Sequence, residues 1–154
     1  MSRQLTKLSQ PFPKELINKA PKGGADYIGH AIITQRLLEI VGPFSFRIDR
    51  EIYDGELLTG AVCTLTVQID HKWVEIQEAG DCDSDVVKAT GEYVTKGNGA
   101  RLKNASSDAF KRCAMRAGVG LHLWSKDDYF LYTKLKDAEP DDAQVLQIAE
   151  KQQG

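Results

Sequence analysis

Asn104–Gly120 reads NASSDAFKRCAMRAGVG, and its periodicity decides the fold. At 100° per residue it sorts into two faces. Ala105, Ala109, Phe110, Cys113, Ala114 and Ala117 form an apolar stripe of mostly small side chains. Lys111, Arg112 and Arg116 fall on the other side, with Asp108 one turn before Arg112. Small residues suit close packing of a helix on a sheet. Three cations on a rigid rod suit a polyanion, because each one that neutralises a phosphate releases a condensed counterion. The plainer alternative is a solvated basic face.

Working outward, the run from Phe44 to Ala79 reads as an antiparallel meander. Phe44–Tyr53 alternates through Phe44, Phe46 and Ile48, and Asp54-Gly55 is a turn dipeptide. Leu57–Ile69 alternates with Ala61, Cys63, Leu65, Val67 and Ile69 inward and Val62, Thr64, Thr66 and Gln68 outward. Asp70-His71-Lys72 makes the next turn, and Trp73–Ala79 is the third strand. Before the meander, Asp26 is expected to cap a helix over Tyr27–Val41. Ile28, Ala31, Ile32 and Leu38 are its inward candidates, and Gly42-Pro43 stops it. Leu5–Ile17 is a short amphipathic segment interrupted by Pro11 and Pro13. Gly80–Gly99 is expected to be a loop-rich connector or lid. The long helix then spans roughly Arg101–Ala117, broken by Gly118 and Gly120. Leu121–Leu135, with Trp124, Tyr129, Phe130 and Tyr132, reads as an aromatic arm that packs on the body as a short helix or an extended segment, and Asp141–Gln152 as a polar C-terminal helix. The fold class is α+β: an N-terminal helix, a three-stranded meander, a long basic helix packed on the sheet, an aromatic arm and an acidic tail.

The 154 residues fit one domain over 1–136 and a tail over 137–154. The tail holds five carboxylates against one lysine. The chain's formal charge of −2 therefore splits into −4 there and +2 over residues 1–136. A weakly basic body can still carry a strongly basic groove. No apolar run approaches the ~20 residues of a membrane helix, and MSRQLTKLSQ has no signal-peptide core. The expected location is the cytoplasm. Cys63, Cys82 and Cys113 are odd in number and widely spaced, which fits reduced thiols. His30, His71 and His122 show no zinc spacing, so neither a resident metal nor any other cofactor is expected.

Further cations adjoin the basic helix. Lys88, Lys96, Arg101 and Lys103 lie in or just after the glycine-rich connector, and Arg47 and Arg50 on or near the first strand. Each is a candidate phosphate contact; the alternative for the strand arginines is cross-strand pairing with acidic neighbours. Trp73, Tyr93, Trp124, Tyr129 and Tyr132 could stack on bases or fill the core. Asp81, Asp83, Asp85 and Glu92 have the spacing of a calcium loop, but Val86 stands where the sharp turn needs glycine. A solvated acidic turn is the simpler reading. Lys96-Gly97-Asn98-Gly99 lacks the Walker ending, so nucleotide hydrolysis is not expected, and no nucleophile–base arrangement marks an enzyme.

The segment Tyr27-Ile28-Gly29-His30, the strand Gly60–Ile69, the acidic strand ending at Gly80, and Arg101 with Ala105-Ser106-Ser107-Asp108-Ala109-Phe110-Lys111-Arg112 together resemble the annealing domain of the Rad-fifty-two family. Arg116-Ala117-Gly118-Val119-Gly120 is similar to its phage and bacterial branch. The resemblance covers about Tyr27 to Trp124. It implies an oligomeric ring or filament that anneals complementary single strands without ATP during homologous recombination and DNA repair. It implies that Lys111, Arg112 and Arg116 hold the DNA backbone, with Lys19 and Lys22 in the basic loop before the first helix. Met115 departs from the eukaryotic pattern, in which an Arg stands there. The expected partners are single-stranded DNA, the annealed duplex intermediate, further copies of the chain, and a single-strand-binding protein or recombinase; no membrane is expected. The phosphate logic stands independently: an annealer holds the backbone and leaves base edges free. Two rival readings are an adaptor that docks a recombination partner through its acidic tail, and a metal-dependent nuclease using Asp81, Asp83, Asp85 and Glu92.

Overall fold

The computed structural model describes residues 3–19, 25–82, 86–87, 93–94, 96–140 and 142–153. Helix α1 (Arg3–Ser9) is followed by a short 3-10 turn at Lys14–Leu16. Two-residue strands β1 (Asn18–Lys19) and β2 (Asp26–Tyr27) pair antiparallel, and α2 (His30–Val41) follows. The meander comprises β3 (Ser45–Asp54), β4 (Leu57–Ile69) and β5 (Lys72–Asp81), in spatial order β3-β4-β5. A short pair, β6 (Val86–Val87) and β7 (Tyr93–Val94), leads to the long helix α3 (Asn98–Arg116). The chain continues through α4 (Leu121–Ser125), a 3-10 turn at Lys126–Asp128, α5 (Leu131–Ala138) and α6 (Asp142–Gln153). The α+β expectation holds.

Helix α3 lies across one face of the sheet. Its stripe of Ala105, Ala109, Phe110, Cys113, Ala114 and Ala117 is buried, as the periodicity requires. It packs on Ala61, Cys63, Leu65 and Val67, the inward set of β4. Phe110 stacks on Phe44 and meets Phe46 edge-on, at ring-centroid separations of 6.0 and 5.2 Å. Gly80 is where the strand and helix come closest. A Cβ there would stand 2.1 Å from the Ala105 carbonyl oxygen and 2.4 Å from the Ala109 amide nitrogen. Helix α3 ends in a Schellman arrangement: Val119 N–H donates to Ala114 O at 2.9 Å, and Gly118 takes a φ of +96°.

The turns follow their residues. Asp70 and His71 take φ values of +52° and +65° in the two-residue β4–β5 connection, the double left-handed pattern of a tight hairpin. The β3–β4 register slips after Ile48↔Cys63 and resumes at Arg50↔Val62. Asp49 stands at this bulge, and its carboxylate lies on the sheet face that α3 leaves uncovered. There it accepts hydrogen bonds from Arg47 Nε at 2.7 Å, Gln77 Nε2 at 3.2 Å and the Thr64 hydroxyl. Thr64, expected to point outward, does so but is buried beneath this network. The hydrogen bonds from Thr64 and Arg47 hold the Asp49 carboxyl below its usual range.

Two local expectations need correction. The first long helix starts at His30 rather than Tyr27, and Gly29, not Asp26, is its N-cap, because Asp26 and Tyr27 pair with Lys19 and Asn18. Its buried residues are Ile33 and Leu37; Ile28 is buried just ahead of it, whereas Ala31 and Leu38 are exposed. The aromatic arm takes the helical form of the two expected, as two short helices joined by a 3-10 turn. The connector contains the β6–β7 pair. Beyond residue 136, α5 runs on to Ala138, and α6 forms the expected tail helix. No helix among the described residues is long and apolar enough to cross a membrane.

Candidate functional site

Lys111 and Arg112, neighbours on the outward side of α3, are each set over an aromatic ring. Lys111 Nζ is 5.2 Å from the Tyr27 ring centroid, and Arg112 Cζ is 5.1 Å from that of Trp124. Both separations are within cation–π range. The rings come from different elements, β2 and α4, and both are close to half exposed. Together with Asp26, Asp108, Leu123 and Lys126 they line a cleft of about 360 Å³. The β1–β2 pairing positions Tyr27, and it puts Lys19 in register with Asp26 at the edge of this site. The left-handed Gly120 begins α4 and so positions Trp124. No sequence periodicity signals the Tyr27 contact, because the strand pair holding it is only two residues long.

Carboxylates hold the two arginines through their Nε atoms. Asp108 Oδ2 receives Arg112 Nε at 3.1 Å and also the Asp81 backbone N–H at 3.0 Å. Asp108 thereby links the basic helix to the end of β5. Glu78 Oε1 receives Arg116 Nε at 2.8 Å. A guanidinium has five N–H donors, so an Nε contact leaves its two terminal amino groups to meet another anion. Both pairs are partly exposed, and solvent screens them strongly.

The other expected contacts separate. Lys103 is exposed on α3 beside a second cleft, of about 420 Å³, shared with His30, Thr34, Phe44 and Ser107. Lys96 is half-buried just ahead of α3. Arg47 is on the opposite sheet face, between Asp49 and Glu75, so it does not join the α3 surface. This is the cross-strand alternative. Arg101 is not a surface contact either. It is 7% exposed, and its Nε donates to Leu58 O at 2.6 Å, anchoring the first turns of α3 to the β3–β4 hairpin. Asn98 makes a parallel anchor, accepting from Leu58 N–H at 3.1 Å and donating to Glu56 O at 2.9 Å. The sequence did carry a signal for Arg101: it is four residues before Ala105, in phase with the buried stripe. Lys22 and Lys88 lie outside the described residues.

Of the aromatic candidates, Trp73 is 65% exposed at the meander's end, and Tyr129 donates its hydroxyl to the Ser9 carbonyl. Asp81 ends β5, while Asp83, Asp85 and Glu92 lie outside the described residues. Among the described residues no three side chains converge as metal ligands. None of the three cysteines forms a disulfide, and burial pushes the Cys63 thiol up to about 11. No protein-family model and no curated protein sequence matches this chain.

Proposed function

We propose that the chain binds single-stranded DNA and anneals complementary strands without a nucleotide cofactor, as an oligomer acting in recombination and repair. The observation that carries this reading is the pairing of Lys111 with Tyr27 and of Arg112 with Trp124, with Lys111 and both rings lining one cleft. Cations on a rigid helix meet phosphates, and adjacent half-exposed rings offer π-faces to bases whatever their sequence. Phosphate contacts hold a strand without reading its sequence, which suits a protein that must leave base edges free.

Oligomerisation follows from magnitudes. One cleft with a few screened cations binds weakly at physiological salt, and many copies along one strand convert weak contacts into avidity. The meander has two edge strands, β3 and β5, at which neighbours could join. The resemblance to the Rad-fifty-two family points the same way. Two complementary labelled oligonucleotides, mixed without ATP or metal, should pair faster with the protein present, and salt should suppress the effect. Pairing at the uncatalysed rate across a range of protein concentrations would refute the reading.

The adaptor reading has one observation of its own. Ile148 on α6 is 53% exposed, leaving an apolar residue of the tail helix open to a partner. Deleting residues 137–154 would abolish partner binding under that reading and spare DNA binding under the first.

A further inference from the structure

Helix α4 is a five-residue unit set between two left-handed joints. Gly118 and Gly120 precede it at φ +96° and +75°, and Lys126 follows it at φ +50°. Lys126 carries a side chain in a region that disfavours one, so the second joint is strained. Two residues of α4 face two different parts of the molecule. Trp124 meets Arg112 in the candidate interface, with its ring about half exposed. His122, two residues earlier and so about 200° round the helix axis, packs between Phe12 and Tyr129. Both its ring nitrogens are buried, and among the described residues neither has a hydrogen-bond partner. A neutral imidazole carries one N–H donor and one acceptor, so this seat is poor for the neutral ring and worse for the cation. Leu123, between the two, packs against the main core and holds the neutral state closed.

The groups around the ring do not favour a proton on it. Phe12 is apolar, and its face is taken by the Arg36 guanidinium of α2, 3.8 Å from the ring centroid. Arg36 donates to the Leu8 and Gln10 carbonyls and has Glu39 one turn along α2 as its own counter-charge. Tyr129 donates its hydroxyl to the Ser9 carbonyl, and burial holds its phenol above the usual range, so it stays neutral in acid. Asp127 and Asp128 of the following turn, and Lys126 at the end of α4, are exposed to solvent. Burial, then Arg36, holds the imidazole below its ordinary 6.5. The docked ring therefore binds a proton less readily than a solvated one, and acid favours the solvated ring.

We propose that α4 is a proton-sensitive hinge: protonation of His122 releases its ring from between Phe12 and Tyr129, and the same movement draws Trp124 away from Arg112. One wall of the Tyr27–Trp124 cleft, carrying Leu123, Trp124 and Lys126, moves with it. The consequence for DNA rests on the function proposed above; the hinge itself does not. With a released imidazole of ordinary pKa 6.5, the released-to-docked ratio rises by up to about tenfold between pH 7.5 and 5.5.

The first readout needs no DNA. In the full chain carrying Trp73→Phe, Trp124 is the remaining tryptophan. Its quenching by acrylamide should rise from pH 7.5 to 5.5 while the far-UV circular dichroism stays constant. The His122 imidazole resonances should titrate with the same midpoint. His122→Phe keeps a ring between Phe12 and Tyr129, and His122→Gln keeps a neutral polar group; either one, if it melts like the parent at pH 7.5, should give a flat quenching profile. The second readout is affinity for a labelled oligothymidylate at fixed salt, which should fall several-fold over the same span in the parent and not in the His122 variant. Unchanged Trp124 quenching, an equal change in the variants, or loss of the circular dichroism signal over the span overturns the hinge. An equal fall of affinity in parent and variant overturns its link to the cleft. A hinge transition with no oligonucleotide binding at either pH refutes the proposed function and leaves the hinge standing.

Discussion

Gly80 on β5 and Ala105 on α3 approach so closely that a Cβ on Gly80 would stand 2.1 Å from the Ala105 carbonyl oxygen. The obstructing atoms are backbone, so no side chain can rotate away. Gly80→Ala must therefore push α3 off the sheet, and with it the platform that carries Lys111 and Arg112. Overpacking of this kind destabilises by about 3 kcal/mol, which for a chain of this size lowers the Tm by roughly 10 °C. Thermal melting checks this; an unchanged Tm would mean the helix is not seated as described.

Asp108 joins the same two elements by polar contacts, accepting from Asp81 N–H and Arg112 Nε. Asp108→Ala removes both. The loss should be about 1 kcal/mol, because the freed N–H lies at a partly exposed edge and can meet water. It should also increase the mobility of the Arg112 side chain. Denaturant unfolding reports the first effect and arginine Nε relaxation by NMR the second.

Acid should weaken the fold through His122. Both its ring nitrogens are buried without a hydrogen-bond partner, and the ring packs between Phe12 and Tyr129 at centroid distances of 6.1 and 6.0 Å. Burial, reinforced by nearby Arg36, lowers its pKa below the ordinary 6.5. The unfolded chain therefore binds the proton first as pH falls. Stability should be flat with respect to this group above about pH 6.5 and decline below it, until the folded-state value is passed. His122→Phe should remove that part of the slope between pH 7.5 and 5.5 in melting experiments. An identical slope in the variant would exclude His122 as its source.

Cys63 and Cys113 should resist alkylation in the folded state. The Cys63 thiol is pushed up to about 11, chiefly by burial, and burial likewise raises that of Cys113. At pH 8 both are protonated, shielded and unreactive. Mass spectrometry after iodoacetamide treatment should find them unmodified until denaturant is added.

How much was legible depended on the range of the signal. The α3 stripe and β4 alternation are local periodicities, and both sides of the α3–sheet contact could be read from them. The start of α2 could not, because Tyr27 is diverted by a two-residue ladder with Asn18, and so short a pairing has no period. The Asp49 bulge is a one-residue slip, invisible to an alternating pattern, whereas Arg47, before the slip, is turned outward by the same alternation that turns Phe46 inward. Charge and a place beside the basic helix mark Arg101 as a phosphate contact, whereas its phase sets it with Ala105 and Ala109, and it is buried with them. At the site, the cations of α3 were legible. Their aromatic partners were not, since Tyr27 and Trp124 reach Lys111 and Arg112 only through tertiary packing.

The most direct test is the salt dependence of single-stranded DNA binding by the full chain and by the Lys111→Ala, Arg112→Ala double variant. Each phosphate contact on a single strand contributes about 0.7 to the slope of log K against log salt concentration. Loss of two contacts should reduce the slope by about 1.4 per protomer, with affinity at low salt falling at least tenfold. Equal affinity and equal slope in the two proteins would contradict the assignment of this α3 face as the nucleic-acid interface.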